Sequence, residues 1–297
     1  MLYLKRLPKF EYLVAKAIPE VCALLAGDKE GIHLMAGGTD LLVKMKNRET
    51  IPRKIVGLKN IPSLRGIEYD NSRGLHIAPL TTLHEIETSP LIKKECNILF
   101  QAVSSMASMQ IRNLGTIGGN ICSAVPSADT APPLMVLEAR LKIASTDGER
   151  EVPIEEFFTG PSETILKHKE ILTEIFIPNR PSRSFGIYKK YSARNAGDLA
   201  LVGVAVEICL DAEKVQCEEI RIALGAVAPT PLRAKKAETL LRGKKVDDTL
   251  IEQVAQEAAS ESHPISDLRG SAEYRKEMVR VFTKRALREA IQRIVSN

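Results

Sequence analysis

A chain of 297 residues is long for one domain and short for three, and its balance of 44% hydrophobic and 27% charged residues excludes a disordered or fibrous protein. The formal charge of +5 comes from Lys and Arg spread along the chain and points to solvated faces, not to a nucleic-acid-binding stripe; the five scattered cysteines, with no CxxC pair, exclude a disulfide framework and a zinc or iron–sulfur site built from this chain alone. No apolar run approaches the ~20 residues of a membrane span and the start lacks a signal-peptide pattern, so a cytoplasmic protein with a Leu, Ile, Val, Ala and Met core is expected.

In chain order, Ile18 to Gly27 has the apolar spacing of a short amphipathic helix that stops at a glycine. His33–Ala36 predicts a brief strand running into Gly37-Gly38, with Thr39 as N-cap of a helix from Asp40 to Asn47. Ile55–Leu58 is strand-like, and Leu64–Tyr69 and Leu75–Ala78 predict a hairpin around the polar turn Asp70–Gly74. The first sixty or so residues thus form a small α/β unit, followed by a second. There, Leu83–Glu87 and Ile92–Met109 are expected to be helical. Gly115–Pro133 is too rich in Gly, Ser, Asn, Pro and Asp to be one long helix or strand. Leu141–Ala144 predicts a strand, Ile154–Phe158 a short helix, and Ile171–Ile177 a strand ended by Pro178. The pattern changes at 178–183. Beyond it, Leu201–Leu210 and Ile220–Val227 predict strands, and Ala234–Leu241, Asp248–Ser260 and Ser271–Val295 predict helices.

Two glycine-rich loops carry the chemistry. The first, Ala36-Gly37-Gly38-Thr39-Asp40, lies between a predicted strand and helix, where glycines let the backbone approach a ligand and successive N–H groups converge on phosphate oxygens. It is neither a P-loop nor the Rossmann GxGxxG. The second, Gly115-Thr116-Ile117-Gly118-Gly119-Asn120, continues through Pro126-Ser127-Ala128-Asp129, and the Asp129 carboxylate can accept hydrogen bonds from hydroxyls. One such loop is also what a ligand-free structural turn looks like. Two in one α/β region predict a clamp on both sides of a long phosphorylated cofactor.

AGGTDLL, QIRNLGTIGGN and the downstream PSADTAPP resemble the FAD-binding subunits of the molybdenum hydroxylases, the group of xanthine dehydrogenase and carbon monoxide dehydrogenase, most nearly bacterial xanthine dehydrogenase flavin subunits. The likeness continues through Phe158-Thr159-Gly160-Pro161, Glu170-Ile171-Leu172 and Gly225–Pro231 and spans essentially the whole chain. It implies an α+β fold: a two-subdomain FAD-binding fold of the PCMH type over 1–178, with subdomains of about 1–60 and 61–178, then a C-terminal α+β domain over 184–297 with a small antiparallel sheet and helices. For site residues it implies that His33, Leu34, Met35, Ala36, Gly37, Gly38, Thr39 and Asp40 line the FAD diphosphate. Thr116, Ile117, Gly118, Gly119 and Asn120 would hold its other side, Asp129 would take ribityl or adenosine hydroxyls, and Leu172 would pack on the cofactor. Lys190 matches a lysine close to the flavin, where a positive charge near the pyrimidine edge stabilises the anionic reduced form; Met106 stands where some relatives place an aromatic residue against the ring. Lys189 and Lys190 have a second reading, as strand residues on a solvated face.

The resemblance further implies an oxidoreductase subunit that relays electrons from 2Fe-2S clusters through FAD to NAD or another acceptor. Molybdopterin and the 2Fe-2S clusters would sit only on partner subunits, in a hetero-oligomer expected to be a dimer of heterotrimers. No general acid or base is needed from this chain. Cys122 begins no cysteine-rich insertion, so no cluster is expected here. Thr39 and Asp40 after the glycines offer no nucleophile for a covalent flavin link, so FAD is expected to be non-covalent. The five histidines form no metal-ligand spacing. The alternatives are a self-contained FAD-dependent reductase, which would need its own proton donor and substrate pocket, and an assembly subunit whose glycine loops are structural remnants.

Overall fold

The first unit is a small parallel sheet. In the computed structural model, which describes residues 6–28, 31–194 and 197–296, strand Lys54–Gly57 lies between Glu11–Val14 and Ile32–Met35 and pairs parallel with both. Residues 1–5, part of the start that lacks a signal-peptide pattern, lie outside the described residues. Parallel neighbours need crossovers, and the helix Ile18–Gly27 is one of them, burying Val21, Cys22 and Leu25 along one stripe. Helix Leu41–Asn47 follows the second strand and ends at Arg48 in the left-handed region (φ 65°). Its N-cap is Asp40, without a side-chain capping bond, and not Thr39: the turn after Gly38 takes one residue more than the spacing suggests.

The second unit is a five-stranded antiparallel sheet in the order 67–70, 74–77, 171–178, 140–145, 148–153. Leu75, Ile77, Leu141, Ile143, Ile175 and Ile177 share one core with Leu99, Ala102, Val103, Ile117, Ile121 and Leu134 from short helices. The stretch Ile92–Met109 is not one helix but pieces of three. Pro90–Glu95 ends at Cys96 (φ −139°), Asn97–Ser104 ends before a turn with Ala107 at φ 42°, and Met109–Arg112 restarts from the Ser108 cap. Ile154–Glu156 is a single 3₁₀ turn, and Phe158 opens a two-strand ribbon.

The C-terminal sheet runs in the order 184–191, 202–210, 217–225, 232–233, all antiparallel. Every residue of Val202–Leu210 is buried, because both faces are covered. Val202, Val204, Val206, Ile208 and Leu210 pack with helices Lys235–Leu241, Asp248–Glu261 and Ala272–Ser296. On the other face the small Ala205 and Ala223, with Tyr188, join the core of the second unit. Two arginines tie these parts together: Arg180 donates to Glu207 Oε1 (2.7 Å) and the Glu95 carbonyl (2.8 Å), and Arg233 donates to Glu155 (2.7 Å) and Glu238 (2.7 Å). Among the described residues no helix is long and apolar enough to cross a membrane.

Helix Leu83–Thr88 is held by a capping box in which Glu85 N–H donates to Thr82 Oγ1 (3.1 Å) and Thr82 N–H to the Glu85 carboxylate (2.8 Å). Thr82→Ala removes the first of these and is expected to cost about 1 kcal/mol of unfolding free energy in a denaturant titration; an unchanged midpoint would show the box to be dispensable.

Candidate cofactor-binding cleft

The two glycine loops, about 80 residues apart in sequence, meet in space. A Cβ on Gly37 would stand 2.0 Å from the Leu114 carbonyl oxygen and 3.1 Å from Gly115 Cα, so only glycine lets the first loop lie against the second. Ser123 Oγ, at the end of helix Ile117–Ser123, which carries the glycine pair of the second loop, donates to the Asp40 carboxylate (2.7 Å). Between them opens a cleft of about 830 Å³, also lined by Leu58, Leu64, Leu80, Leu166 and Leu172 and by Met106, Ala107, Ser127, Ala128 and Asp129.

The loops are chemically unequal. In the first, Gly38 takes φ +76°, and among the described residues the backbone N–H groups of Gly37, Gly38 and Thr39 have no protein acceptor, although these residues are only partly exposed. Such a run of unpaired donors beside a cleft is a seat for an anion. In the second loop the donors are already engaged. Ile117 N–H donates to Thr81 O (3.0 Å), Gly118 N–H to Pro79 O (2.9 Å), Gly119 N–H to Thr116 Oγ1 (3.1 Å) and Asn120 N–H to Thr116 O (3.0 Å). This loop therefore offers side chains and close approach instead. Thr130 Oγ1 donates to Asn120 Oδ1 (2.6 Å), which leaves the Asn120 amide N–H groups as donors. The two glycines also differ. A Cβ on Gly118 would lie 2.4 Å from Pro79 Cβ, so that glycine serves packing, whereas Gly119 faces the cleft with Ala36 Cβ 3.9 Å from its missing Cβ.

A buried polar cluster closes one end. Asp129, 5% exposed, accepts from Tyr188 Oη (2.6 Å) on Oδ1 and from Lys190 Nζ (2.9 Å) on Oδ2; Lys190 also donates to the Ser105 carbonyl (3.2 Å). Burial pushes the Asp129 carboxyl above its ordinary range, with Lys190 and Tyr188 opposing the shift, and burial likewise holds the Tyr188 phenol well above its own. The turn at Met106 and Ala107 is fixed by Arg112, which donates to Met106 O (2.6 Å) and pairs through both arms with Glu87 (2.9 and 3.1 Å). Glu170, which also lines the cleft, is engaged by Arg150 (2.9 and 2.8 Å), whose hydrogen bonds hold its carboxyl below the usual range.

Of the residues singled out in the sequence, His33 to Asp40, Met106, Thr116, Gly118, Gly119, Asn120, Asp129 and Leu172 line the cleft. Ile117 is fully buried in the core of the second unit, and Lys190 stands behind Asp129 with its side chain 8% exposed. Cys122, read from the sequence as a small buried or near-flavin residue, also lines the cleft; unforeseen lining residues are Lys44, Thr50, Pro79 and Leu80, and, from the C-terminal part, Arg194, Gly197, Asp198 and Leu199. The last group carried a signal, a small-residue and charged run directly after the strand of Lys190. Burial pushes the Cys122 thiol up to about 12, which leaves it neutral, and among the described residues no cluster of His, Cys, Asp and Glu could hold a metal ion.

Comparison with known proteins decides the family. Residues 8–180 match the model of the FAD binding domain in molybdopterin dehydrogenase, and residues 187–290 that of the CO dehydrogenase flavoprotein C-terminal domain. The chain belongs to this family. It is 34% identical over 281 residues to the xanthine dehydrogenase FAD-binding subunit of Escherichia coli O157:H7, covering 94% of this chain and 95% of that one. To the glyceraldehyde dehydrogenase medium chain of Sulfolobus acidocaldarius it is 34% identical over 282 residues, covering 95% and 98%. The carbon monoxide dehydrogenase of Hydrogenophaga pseudoflava superposes with a TM-score of 0.93 at 35% identity, over 97% of this chain and 99% of that one.

The chain is thus an FAD-binding subunit of the molybdenum hydroxylase family, an oxidoreductase family, with the expected fold: an FAD-binding part, then a small antiparallel sheet with helices. Its own geometry fits that cofactor. A diphosphate needs donors, and Gly37, Gly38 and Thr39 present unpaired ones; a polyhydroxylated chain needs an acceptor, and Asp129 is a fixed carboxylate in the wall; flat aromatic groups need apolar walls, and leucines supply them.

Proposed function

We propose that this chain is the flavin relay of a xanthine dehydrogenase-like complex, taking electrons from 2Fe-2S clusters on one partner subunit and passing them through non-covalent FAD to NAD or another acceptor. The observation that carries the proposal is the junction of the two loops, where unpaired N–H groups meet a cleft of about 830 Å³. Bound there, FAD supplies the step between one-electron clusters and a two-electron acceptor. The chain's own residues bind, orient and shield. Gly37, Gly38 and Thr39 donate to the diphosphate; Thr116 and Asn120 hold its other side; Asp129 accepts from hydroxyls; and Leu172 and Met106 pack against the cofactor. Lys190 acts at that end together with Asp129, its ammonium shared with the carboxylate. In this proposal 1–178 is the FAD-binding domain and 184–297 the C-terminal domain, and the molybdopterin and iron–sulfur subunits complete a cytoplasmic dimer of heterotrimers.

The test has two stages. Flavin-free chain titrated with FAD is expected to bind one equivalent and to quench its fluorescence. Mixed with molybdopterin- and cluster-bearing subunits, the loaded chain is expected to reduce NAD when the organic substrate is added. Absence of FAD binding would remove the flavin role. Substrate turnover by the loaded chain alone would instead establish the self-contained reductase.

A further inference from the structure

Tyr188 contributes nothing to the cleft surface, yet its hydroxyl reaches Asp129, a buried carboxylate in the cleft wall. The ring is 6% exposed and packed in the core of the second unit, although its strand, Ser184–Tyr191, belongs to the C-terminal sheet. Two features look built for that hydroxyl. On the neighbouring strand, Gly203 leaves room for it, since a Cβ there would stand 2.7 Å from Tyr188 Oη and no positive φ demands glycine at that position. And the strand's open edge is held by one side chain of helix Asn97–Ser104: Tyr188 N–H donates to Gln101 Oε1 (2.9 Å) while Gln101 Nε2 donates to Gly186 O (3.3 Å), as a paired strand would. The phenol is thereby fixed in direction as well as in depth.

We propose that Tyr188 is a positioning residue of the cofactor site, aiming the Asp129 carboxylate into the cleft. The proposal rests on the reading of the cleft as the FAD site. A carboxylate gripped by Lys190 alone could swing about that one contact; with one oxygen held by Tyr188 and the other by Lys190, its remaining lone pairs point in fixed directions. The titratable groups that act on Asp129 are these two, both from the strand Ser184–Tyr191; from the end of helix Asn97–Ser104 the nearest contribution to the cluster is the neutral Ser105 carbonyl, bound to Lys190.

The experiment compares FAD binding by the full-length flavin-free chain, wild type against Tyr188→Phe and Asp129→Asn, across about pH 5 to 8. Tyr188→Phe is expected to weaken binding about tenfold or more, the size of a lost hydrogen bond to a charged group. It is also expected to move the acid limb of the binding profile up by about one pH unit, because a carboxylate with one donor fewer protonates more easily. Asp129→Asn is expected to bind weakly with no acid limb. Gln101→Leu, which keeps the hydroxyl but frees the strand edge, is expected to show the same shift to a smaller extent, and it carries the test should Tyr188→Phe not fold. Wild-type affinity and profile in both Tyr188→Phe and Gln101→Leu, beside a weakened Asp129→Asn, would overturn the role of Tyr188 and leave the flavin site standing. Weakening with an unmoved acid limb would overturn it too, assigning Tyr188 to packing. A wild-type chain that binds no FAD would overturn both.

Discussion

Gly119→Trp is expected to give a folded chain that has lost FAD, with affinity weaker by about a hundredfold or more, as several hydrogen bonds to a charged diphosphate are blocked together. Gly119 sits in the first turn of helix Ile117–Ser123, half-buried, facing Ala36 of the first loop across the floor of the cleft. Its missing Cβ has one close neighbour, Thr116 Oγ1 at 2.9 Å, the tip of a small side chain, so the backbone can keep its place while the indole fills the gap between the loops. The neighbouring glycines behave differently. A side chain on Gly118 strikes Pro79 and one on Gly37 strikes the Leu114 carbonyl, so substitutions there are expected to damage folding before binding. Thermal unfolding of the flavin-free chains separates the two kinds of lesion, and flavin absorbance after gel filtration reads the first. Stoichiometric flavin retained by Gly119→Trp would mean that the gap between the loops is not where the diphosphate lies.

Much of this architecture was legible in the residues, and the failures have identifiable causes. Helix Ile18–Gly27, strand Ile171–Pro178 and the C-terminal helices follow their apolar periodicity almost residue for residue, because nothing interrupts it. Ile92–Met109 has the same periodicity but is cut twice by tertiary circumstances. Ala107 takes a positive φ that no local signal announces, next to a turn gripped by Arg112 from beyond it. Strand Gly148–Pro153 escaped notice because an edge strand with Glu149, Arg150 and Glu151 looks like a solvated turn. At the site, glycine-rich loops were visible as such, but not that Gly118 answers to Pro79 and Gly119 to the cleft, since Pro79 lies almost forty residues earlier. Nor could spacing reveal that Lys190 and Asp129, 61 residues apart, are each other's partner.

That pairing sets the last expectation. Lys190→Met leaves Asp129 in the cleft wall with the neutral Tyr188 hydroxyl as its remaining side-chain donor among the described residues, and a buried carboxylate stripped of its cation costs about 3–5 kcal/mol. A lysine on a solvated strand face, the other reading of the sequence, would cost no more than about 0.5 kcal/mol. The pH dependence has a definite sign. Burial already raises the Asp129 carboxyl above its unfolded value, and losing Lys190 raises it further. The folded state then binds the proton more tightly than the unfolded state, so the penalty is full above the folded pKa and fades as pH falls through it toward the unfolded one, where both states are protonated. Unfolding of the flavin-free variant is therefore expected to approach that of the wild type on acidification, and Lys190→Met combined with Asp129→Leu is expected to recover most of the loss at neutral pH. The flavin-free form is the one to measure, since bound cofactor adds its own stabilisation. A single variant that melts with the wild type at neutral pH, or a double variant no better than the single, would show that the pair does not hold this end of the cleft together.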